Sequence, residues 1–369
     1  MKRSLPWLSL LIVLLVSFPV LQAQGPGGGA GSPLYVGSQR APIQVSSLML
    51  YQRFEDDDLS QLTLPLAVFV PVSSNLALSL RTGYASADGS GMTELSGLAD
   101  AQVALSYHQA IGLGGLVASV SANLPSGESS LTQEQAATAF LVGQSFYGFR
   151  LPSLGQGFNV SPGLTWAAPL GEAHAVGVGV AYQYRGAFEP RSGINDRYDP
   201  GDELLLTVGL DHRLNPASAF ALDLTYVHYQ ADEWRGVTYE TGDAIALTGQ
   251  WASTTGPLDV QILGRVRRKA GSTLPPEAST LLGLDATVPI QGRVRGHLRY
   301  QVGSRFRIGA WLQGRHYVAS EAFRQRTLYD VGLLPELDVF PGLTLLGRLG
   351  GTVGTLQGLE AGFGFSWSM

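Results

Sequence analysis

The segment QGRVRGHLRYQV, residues 291–302, alternates from end to end. Arg293, Arg295, His297, Arg299 and Gln301 share one parity, while Val294, Leu298, Tyr300 and Val302 share the other. A period of two places successive side chains on opposite faces of an extended chain, so this is a β-strand with one basic and one apolar face. The flanking segments repeat the pattern. In 257–269, Leu258, Val260, Ile262, Gly264 and Val266 oppose Asp259, Gln261, Leu263, Arg265, Arg267 and Lys269. In 305–318, Phe306, Ile308, Ala310, Leu312 and Val318 oppose Arg305, Arg307, Gln313 and Arg315.

Working outward, alternation begins near residue 42 and continues to the end. Leu76, Leu78 and Leu80 turn away from Ser79 and Arg81, and Ala101, Val103, Leu105 and Tyr107 turn away from Asp100, Gln102, Ser106 and His108. Turn-forming clusters separate the segments and come in two sizes. The short ones are 71–75, 111–115, 169–173, 215–218, 255–257, 302–305 and 340–342. The longer, polar ones are 54–60, 86–96, 125–138, 188–200, 232–240, 270–279 and 319–326. Tight turns alternating with long loops mark an up-and-down β-barrel that spans a membrane. Seven short turns define fourteen strands, and one strand at each end brings the count to sixteen, within an expected even number of 12 to 16. Residues 139–156 fit poorly as a strand pair, and 132–139 suit a turn of helix. The whole of 125–156 therefore reads as one large external loop or lid.

Composition separates this barrel from a secreted β-sandwich. Only 14% of the 369 residues are charged, against roughly 25% in soluble proteins. There are 47 Gly, no Cys, and only two lysines, Lys2 and Lys269. A water-facing sheet would carry Lys, Glu and Thr on its outer side. In lipid, every backbone group must find an internal partner, which leaves helices or closed barrels. The absence of Cys excludes a disulfide scaffold, a thiol nucleophile and a thiolate metal site. Tyr182, Tyr184, Tyr226, Trp251, Tyr300 and Tyr329 fall on the apolar parity, where amphipathic rings mark a bilayer interface.

Charge parity then fixes which face is inside. Eleven of the 22 arginines lie between residues 265 and 326. Nine basic positions share odd parity on three expected strands: Arg265, Arg267, Lys269, Arg293, Arg295, Arg299, Arg305, Arg307 and Arg315. A slip of one residue would turn all nine toward lipid, at about 2–4 kcal/mol each near the midplane. That sum far exceeds the roughly 5–15 kcal/mol that holds a domain folded, so the nine are expected to line the lumen as a basic wall. Asp330, Glu336 and Asp338 oppose Val331, Leu333, Leu337 and Val339 on a strand that should pair with 305–318. Glu203, Asp211 and Asp223 are expected to face inward on the other side of the wall. Arginine–carboxylate pairs of this kind either stiffen the lumen or set up a field that orients a passing solute.

The two ends carry signals of their own. Lys2 and Arg3, the apolar run Leu8 to Val16, and Leu21-Gln22-Ala23 read as a cleavable secretory signal over 1–23. Residues 24–41 read as a Gly/Pro-rich linker that either lies in the barrel as a hatch or trails outside it. At the other end, Leu359, Phe363, Phe365 and Trp367 share one face before Met369. This resembles the terminal strand by which outer-membrane assembly machinery recognises barrels, with Met in place of a final aromatic residue.

Catalytic residue types assemble into no specific site; His228, expected on the lipid face near an external end, is a loose candidate that reads better as an interfacial histidine. His108, His174, His212, His228, His297 and His316 are scattered, with no HExxH or G-x-S-x-G pattern. The acidic run 55–58 reads as a solvated loop, the alternative being a divalent-cation site that bridges lipopolysaccharide. The expectation is therefore a protein that is not an enzyme and needs no cofactor or nucleic-acid partner.

Three short motifs carry a resemblance to a family. Residues 97–107 (GLADAQVALSY), 123–127 (NLPSG) and 154–157 (LGQG) resemble blocks of the outer-membrane channels associated with the meta-pathway of phenol degradation. The resemblance covers about 97–187, with Ala99 in place of the family's second glycine. It implies a barrel in the outer membrane that admits small hydrophobic or aromatic compounds. The expected function is passive passage of small solutes through an arginine- and carboxylate-lined lumen, the alternatives being a structural outer-membrane barrel without transport and an outer-membrane lipid-modifying enzyme. The expected partners are outer-membrane lipid, lipopolysaccharide, the assembly machinery and the solute.

Overall fold

The computed structural model describes residues 43–369 except 56–57, 129, 150–154, 156, 193–196, 272, 274–288 and 320–323. The expected signal and linker, residues 1–41, lie outside the described residues.

Sixteen antiparallel strands close on themselves. The barrel strands are β1 (Gln44–Phe54), β2 (Leu59–Pro71), β3 (Leu76–Asp88), β5 (Ala101–Ile111), β6 (Gly114–Leu124), β7 (Asn159–Leu170), β8 (His174–Arg185), β10 (Glu203–Asn215) and β11 (Ser218–Tyr229). They continue with β14 (Ala244–Thr255), β15 (Leu258–Lys269), β16 (Ile290–Gln301), β17 (Phe306–Tyr317), β18 (Arg326–Phe340), β19 (Leu343–Gly354) and β20 (Gly358–Ser368). Each pairs with the next, and β20 pairs with β1 over its whole length, from Gln44↔Ser368 to Phe54↔Gly358. The Met369 amide bonds to the Ile43 carbonyl at 2.9 Å and the Ile43 amide returns the bond at 3.1 Å, so the seam ends in paired backbone.

Closure leaves no open edge, which is the condition for crossing lipid. A typical strand of 12 residues extends about 40 Å and rises roughly 28 Å at the tilt usual for barrels. That matches a bilayer's hydrocarbon core. Outward positions are apolar on strand after strand: Val294 is 58% exposed, Leu298 50%, Leu312 60% and Val331 56%. A continuous apolar belt of this extent is a lipid-facing surface. All seven connections at one end are the tight turns read from the sequence. They lie at the end that holds both Ile43 and Met369, and the remaining connections, long except for 55–58 and 355–357, lie at the other end.

Smaller elements decorate the long-loop end. The strand after β3 is broken: β4 (Leu95–Leu98) pairs with the end of β3 through Tyr84↔Leu98, and β5 resumes at Arg81↔Gln102. The register gains one residue between them, which is a bulge. Above the barrel, β9 (Tyr198–Asp199), β12 (Asp232–Trp234) and β13 (Val237–Tyr239) form a small sheet. Asp232 ties it down, accepting from the Gly201 amide at 2.7 Å and the Thr241 hydroxyl at 2.6 Å. Burial there pushes the Tyr198 phenol upward from its ordinary pKa.

One helix, α1 (Gln133–Val142), lies in the longest described connection, between β6 and β7. Thr132 caps it. Its hydroxyl accepts from the Gln135 amide at 3.3 Å, and the Gln135 side chain accepts from the Thr132 amide at 2.9 Å. This reciprocal pair satisfies two of the orphan donors at the helix start. The buried face of α1 carries Ala136, Ala139 and Val142.

Candidate functional site

The luminal face follows from parity. Strands β1–β8 line their sector mainly with uncharged polar groups, among them Gln52, Gln61, Thr63, Asn123, Asn159, Ser161 and Gln183, all buried. Most of the luminal charges lie on β15–β20, joined by Arg185 on β8, Glu203 and Asp211 on β10 and Asp223 on β11. Cross-strand partners share a face, so each register line across the sheet is a row of luminal neighbours. One row reads Asp223, Thr248, Arg265, Arg293 and Arg315. The next reads Gln250, Leu263, Arg295, Gln313, Asp330 and Thr352.

Where these rows meet, a hydrogen-bonded chain crosses four strands. Arg315 grips Asp330 with two guanidinium nitrogens, Nε–Oδ2 at 2.8 Å and Nη2–Oδ1 at 2.6 Å. Their side chains are 3% and 4% exposed. The Gln313 amide donates to the same carboxylate at 2.8 Å, the Thr352 hydroxyl at 2.7 Å, and Arg295 Nε donates to Gln313 at 2.7 Å. Forked, charge-assisted bonding of this kind fixes geometry as well as charge.

The same arginine holds the large loop. Arg315 Nη1 donates to the Phe146 carbonyl at 2.5 Å, and the Tyr317 hydroxyl donates to the Ser145 carbonyl at 3.0 Å. Phe146, Tyr147 and Phe149 pack with Val142 against inward residues at the strand ends: Phe54, Leu59, Ala87, Tyr317 and Leu328. Tyr147 stacks on Phe149 at 5.7 Å, and Phe54 meets both edge-on at 5.1 and 5.6 Å. The Arg326 guanidinium sits 4.1 Å over the Phe146 ring. Within the connection expected as an external loop or lid over 125–156, residues 142–149 therefore turn into the barrel mouth. Gly148 makes this possible: its φ is +71°, and a Cβ there would lie 2.9 Å from Arg315 Nη1.

The base of the loop is tied by residues from the sequence motifs. Asp100 Oδ1 accepts from the Gly127 amide at 2.9 Å and Oδ2 from Asn123 Nδ2 at 2.6 Å. Asn123 Nδ2 also reaches the Gly157 carbonyl at 3.0 Å, and the Gly155 amide reaches the Glu128 carbonyl at 2.7 Å. Asp100 sits at the bulge between β4 and β5, which aims its carboxylate at the loop entry. Leu154 and Gln156 of the third motif lie outside the described residues.

The remaining expected residues are placed as follows. Arg307 pairs with Glu336 at 2.7 Å and Asp338 at 2.8 Å, and Arg299 with Asp259 at 2.9 Å. Glu203 pairs with Arg185 at 3.2 Å. Arg267 donates to the Tyr229 hydroxyl at 3.3 Å, and the Lys269 ammonium lies 4.6 Å over that ring. Asp211 and Asp223 lie on the inward parity of β10 and β11. Arg305 differs from the expectation of a strand position. It is exposed in the turn that ends before β17 begins at Phe306, because the chain needs 302–305 to reverse direction. Arg265 and Arg293 face each other as direct partners across β15 and β16.

Several residues of the lumen escaped the sequence reading. Arg348 pairs with Glu360 at 2.5 Å and lies 4.4 Å over the Trp311 indole. Glycines at 332 and 350 leave room for that indole to lie against the sheet: a Cβ at 350 would come within 3.1 Å of it. The parity of Thr344, Arg348 and Thr352 was the available signal. On the outer surface, His228 Nδ1 lies 3.0 Å from Asp243, whose carboxyl is held below its usual pKa mainly by the Tyr226 hydroxyl. Among the described residues, no group of three or more His, Asp and Glu gathers as metal ligands.

No family model and no curated protein matches the chain. Among solved structures, it is similar to an outer membrane channel from Pseudomonas putida F1. The identity is 11%, covering 92% of this chain and 99% of that one, at a TM-score of 0.43. It is also similar to OprB of Pseudomonas putida, at 12% identity over 89% of this chain and 94% of the other, with a TM-score of 0.46. A bacterial polysaccharide outer membrane secretin aligns at 8% identity over 89% of this chain and 99% of the other, with a TM-score of 0.47.

Proposed function

We propose that the protein is an outer-membrane channel that lets small solutes cross passively. Its signal directs export, and it is folded by the barrel assembly machinery among lipid and lipopolysaccharide. The observation that carries this reading is the contrast between the two faces of one closed sheet. An apolar belt looks out, while Arg295, Arg307, Arg315, Asp330, Glu336 and Asp338 look in. A barrel whose role was purely structural could fill its interior with apolar side chains at lower cost than buried ion pairs, which gain little net stability. Charges retained on a luminal face set the size and the field of a water-filled path.

The inward loop is the gate of this path. Its aromatic cluster narrows the mouth, and Arg315 holds it. The channels of phenol degradation that the motifs resemble suggest aromatic or hydrophobic solutes. Purified protein in planar bilayers is expected to give stepwise conductance, and liposomes that carry it should take up small uncharged solutes. A correctly folded protein that leaves both bilayer and liposome sealed would overturn the reading and leave a structural barrel.

A further inference from the structure

We infer that Arg265 and Arg293 form a binding subsite in the lumen for a small oxyanion, a carboxylate or a phosphate. The site rests on the proposed solute path, since that path is how the anion would arrive. The two residues are direct partners across β15 and β16, so their Cβ atoms lie about 5 Å apart. Arg315 continues the same row on β17. Three guanidiniums side by side repel one another, and like charges directly opposite destabilise a sheet unless something neutralises them.

Neutralisation is uneven. Arg315 is satisfied by Asp330 and by the Phe146 carbonyl. Arg295, one luminal step away, gives its Nε to Gln313. Arg265 and Arg293 make no ion pair among the described residues, and Arg265 Nε is shielded from solvent without a hydrogen-bond acceptor. The nearest carboxylate along their own row is Asp223 on β11, two strands from Arg265, or roughly 10 Å of sheet. Both arginines keep part of their surface open to the lumen. A chain with so few charges leaves two adjacent guanidiniums unopposed in the lumen, one of them with its Nε shielded from solvent. An anion bridging them would accept forked bonds from both and remove the repulsion. Carboxylate and phosphate share the geometry that such a fork fits.

The test uses full-length protein in detergent and in planar bilayers, comparing wild type with the double variant Arg265→Gln, Arg293→Gln. A control variant, Arg307→Gln, removes an arginine that already has carboxylate partners. Folding of all three is checked by heat-modifiable migration on gels. In detergent, the phosphorus resonance of inorganic phosphate should broaden with wild type and with Arg307→Gln, and lose that broadening with the double variant. Acetate added as a competitor should restore the narrow line if carboxylates share the site. In bilayers under a potassium chloride gradient, the double variant should lower the chloride-to-potassium permeability ratio by about tenfold, the low end of what a charged cleft does to its counter-ions.

Broadening without conductance would keep the subsite and sink the channel. Conductance with equal broadening in folded wild type and double variant would keep the channel and sink the subsite.

Discussion

At the residue scale, the Arg315–Asp330 pair does two jobs, one for the wall and one for the loop. It is buried, bidentate and surrounded by further donors. Removing one partner of such a pair leaves a charge with no water and no counter-charge. Arg315→Ala is therefore expected to destabilise the barrel by roughly 3–5 kcal/mol, read from urea unfolding in lipid vesicles. Arg299→Ala breaks a pair that is half exposed at the opposite end and should cost less than about 1 kcal/mol. Equal costs at the two sites would remove the argument from burial. The outer face makes a matching prediction. Leu298→Arg places a cation in the apolar belt and should cost about 2–4 kcal/mol in the same assay. The parity that separates Arg295 from Leu298 was legible in residues 291–302, because a strand's period leaves no third face. The partner of Arg315 in the loop was not legible: Phe146 lies 169 residues away and contributes a backbone carbonyl, which carries no sequence signature.

At the element scale, the strands were readable and the loop's course was not. The seven tight turns stand out because each carries Gly, Pro or Asn, residues whose local geometry ends a strand. The external connection 355–357, between β19 and β20, is only three residues long and blends with its strands. The sheet made by β9, β12 and β13 uses strands of two or three residues, too short for alternation to show. Residues 132–139 suggested helix, and α1 runs further, to Val142, because tertiary burial of Ala139 and Val142 prolongs it. Two variants test the loop as a unit. Thr132→Ala removes the reciprocal cap and should lower local helix stability by about 1 kcal/mol. Hydrogen exchange should then quicken at residues 133–136 while barrel amides stay protected. Gly148→Ala forces a side chain into a positive-φ position and against Arg315. It should release the loop from the wall, making 139–149 cleavable by external protease in intact vesicles and raising the conductance proposed for the barrel. A loop equally protected in both proteins would show that Arg315 is not what holds it.

At the scale of the whole molecule, what matters is that the sheet has no beginning or end. The sixteen-strand count emerged from turns alone, but closure depends on β20 finding β1, the most distant pairing in the chain. Small residues make that seam possible. Gly362 and Gly364 leave room for the β1 backbone, since a Cβ at 362 would come 2.7 Å from the Met49 carbonyl oxygen. Deleting 358–369 would expose the edges of both β19 and β1. Each edge presents a row of backbone donors and acceptors to hydrocarbon, and every unmet group costs several kcal/mol. The truncated chain is therefore expected to yield no heat-modifiable, protease-resistant barrel in vesicles, however long it is refolded. Trp367→Ala keeps every backbone bond of the seam and removes only an outward ring that is 41% exposed. It should still close, inserting more slowly because an interfacial anchor is gone. If the truncated chain gave the same resistant core as the full one, the barrel would be held by pairs of neighbouring strands rather than by the ring. Stability would then rise with each added hairpin instead of appearing only when the last strand joins the first.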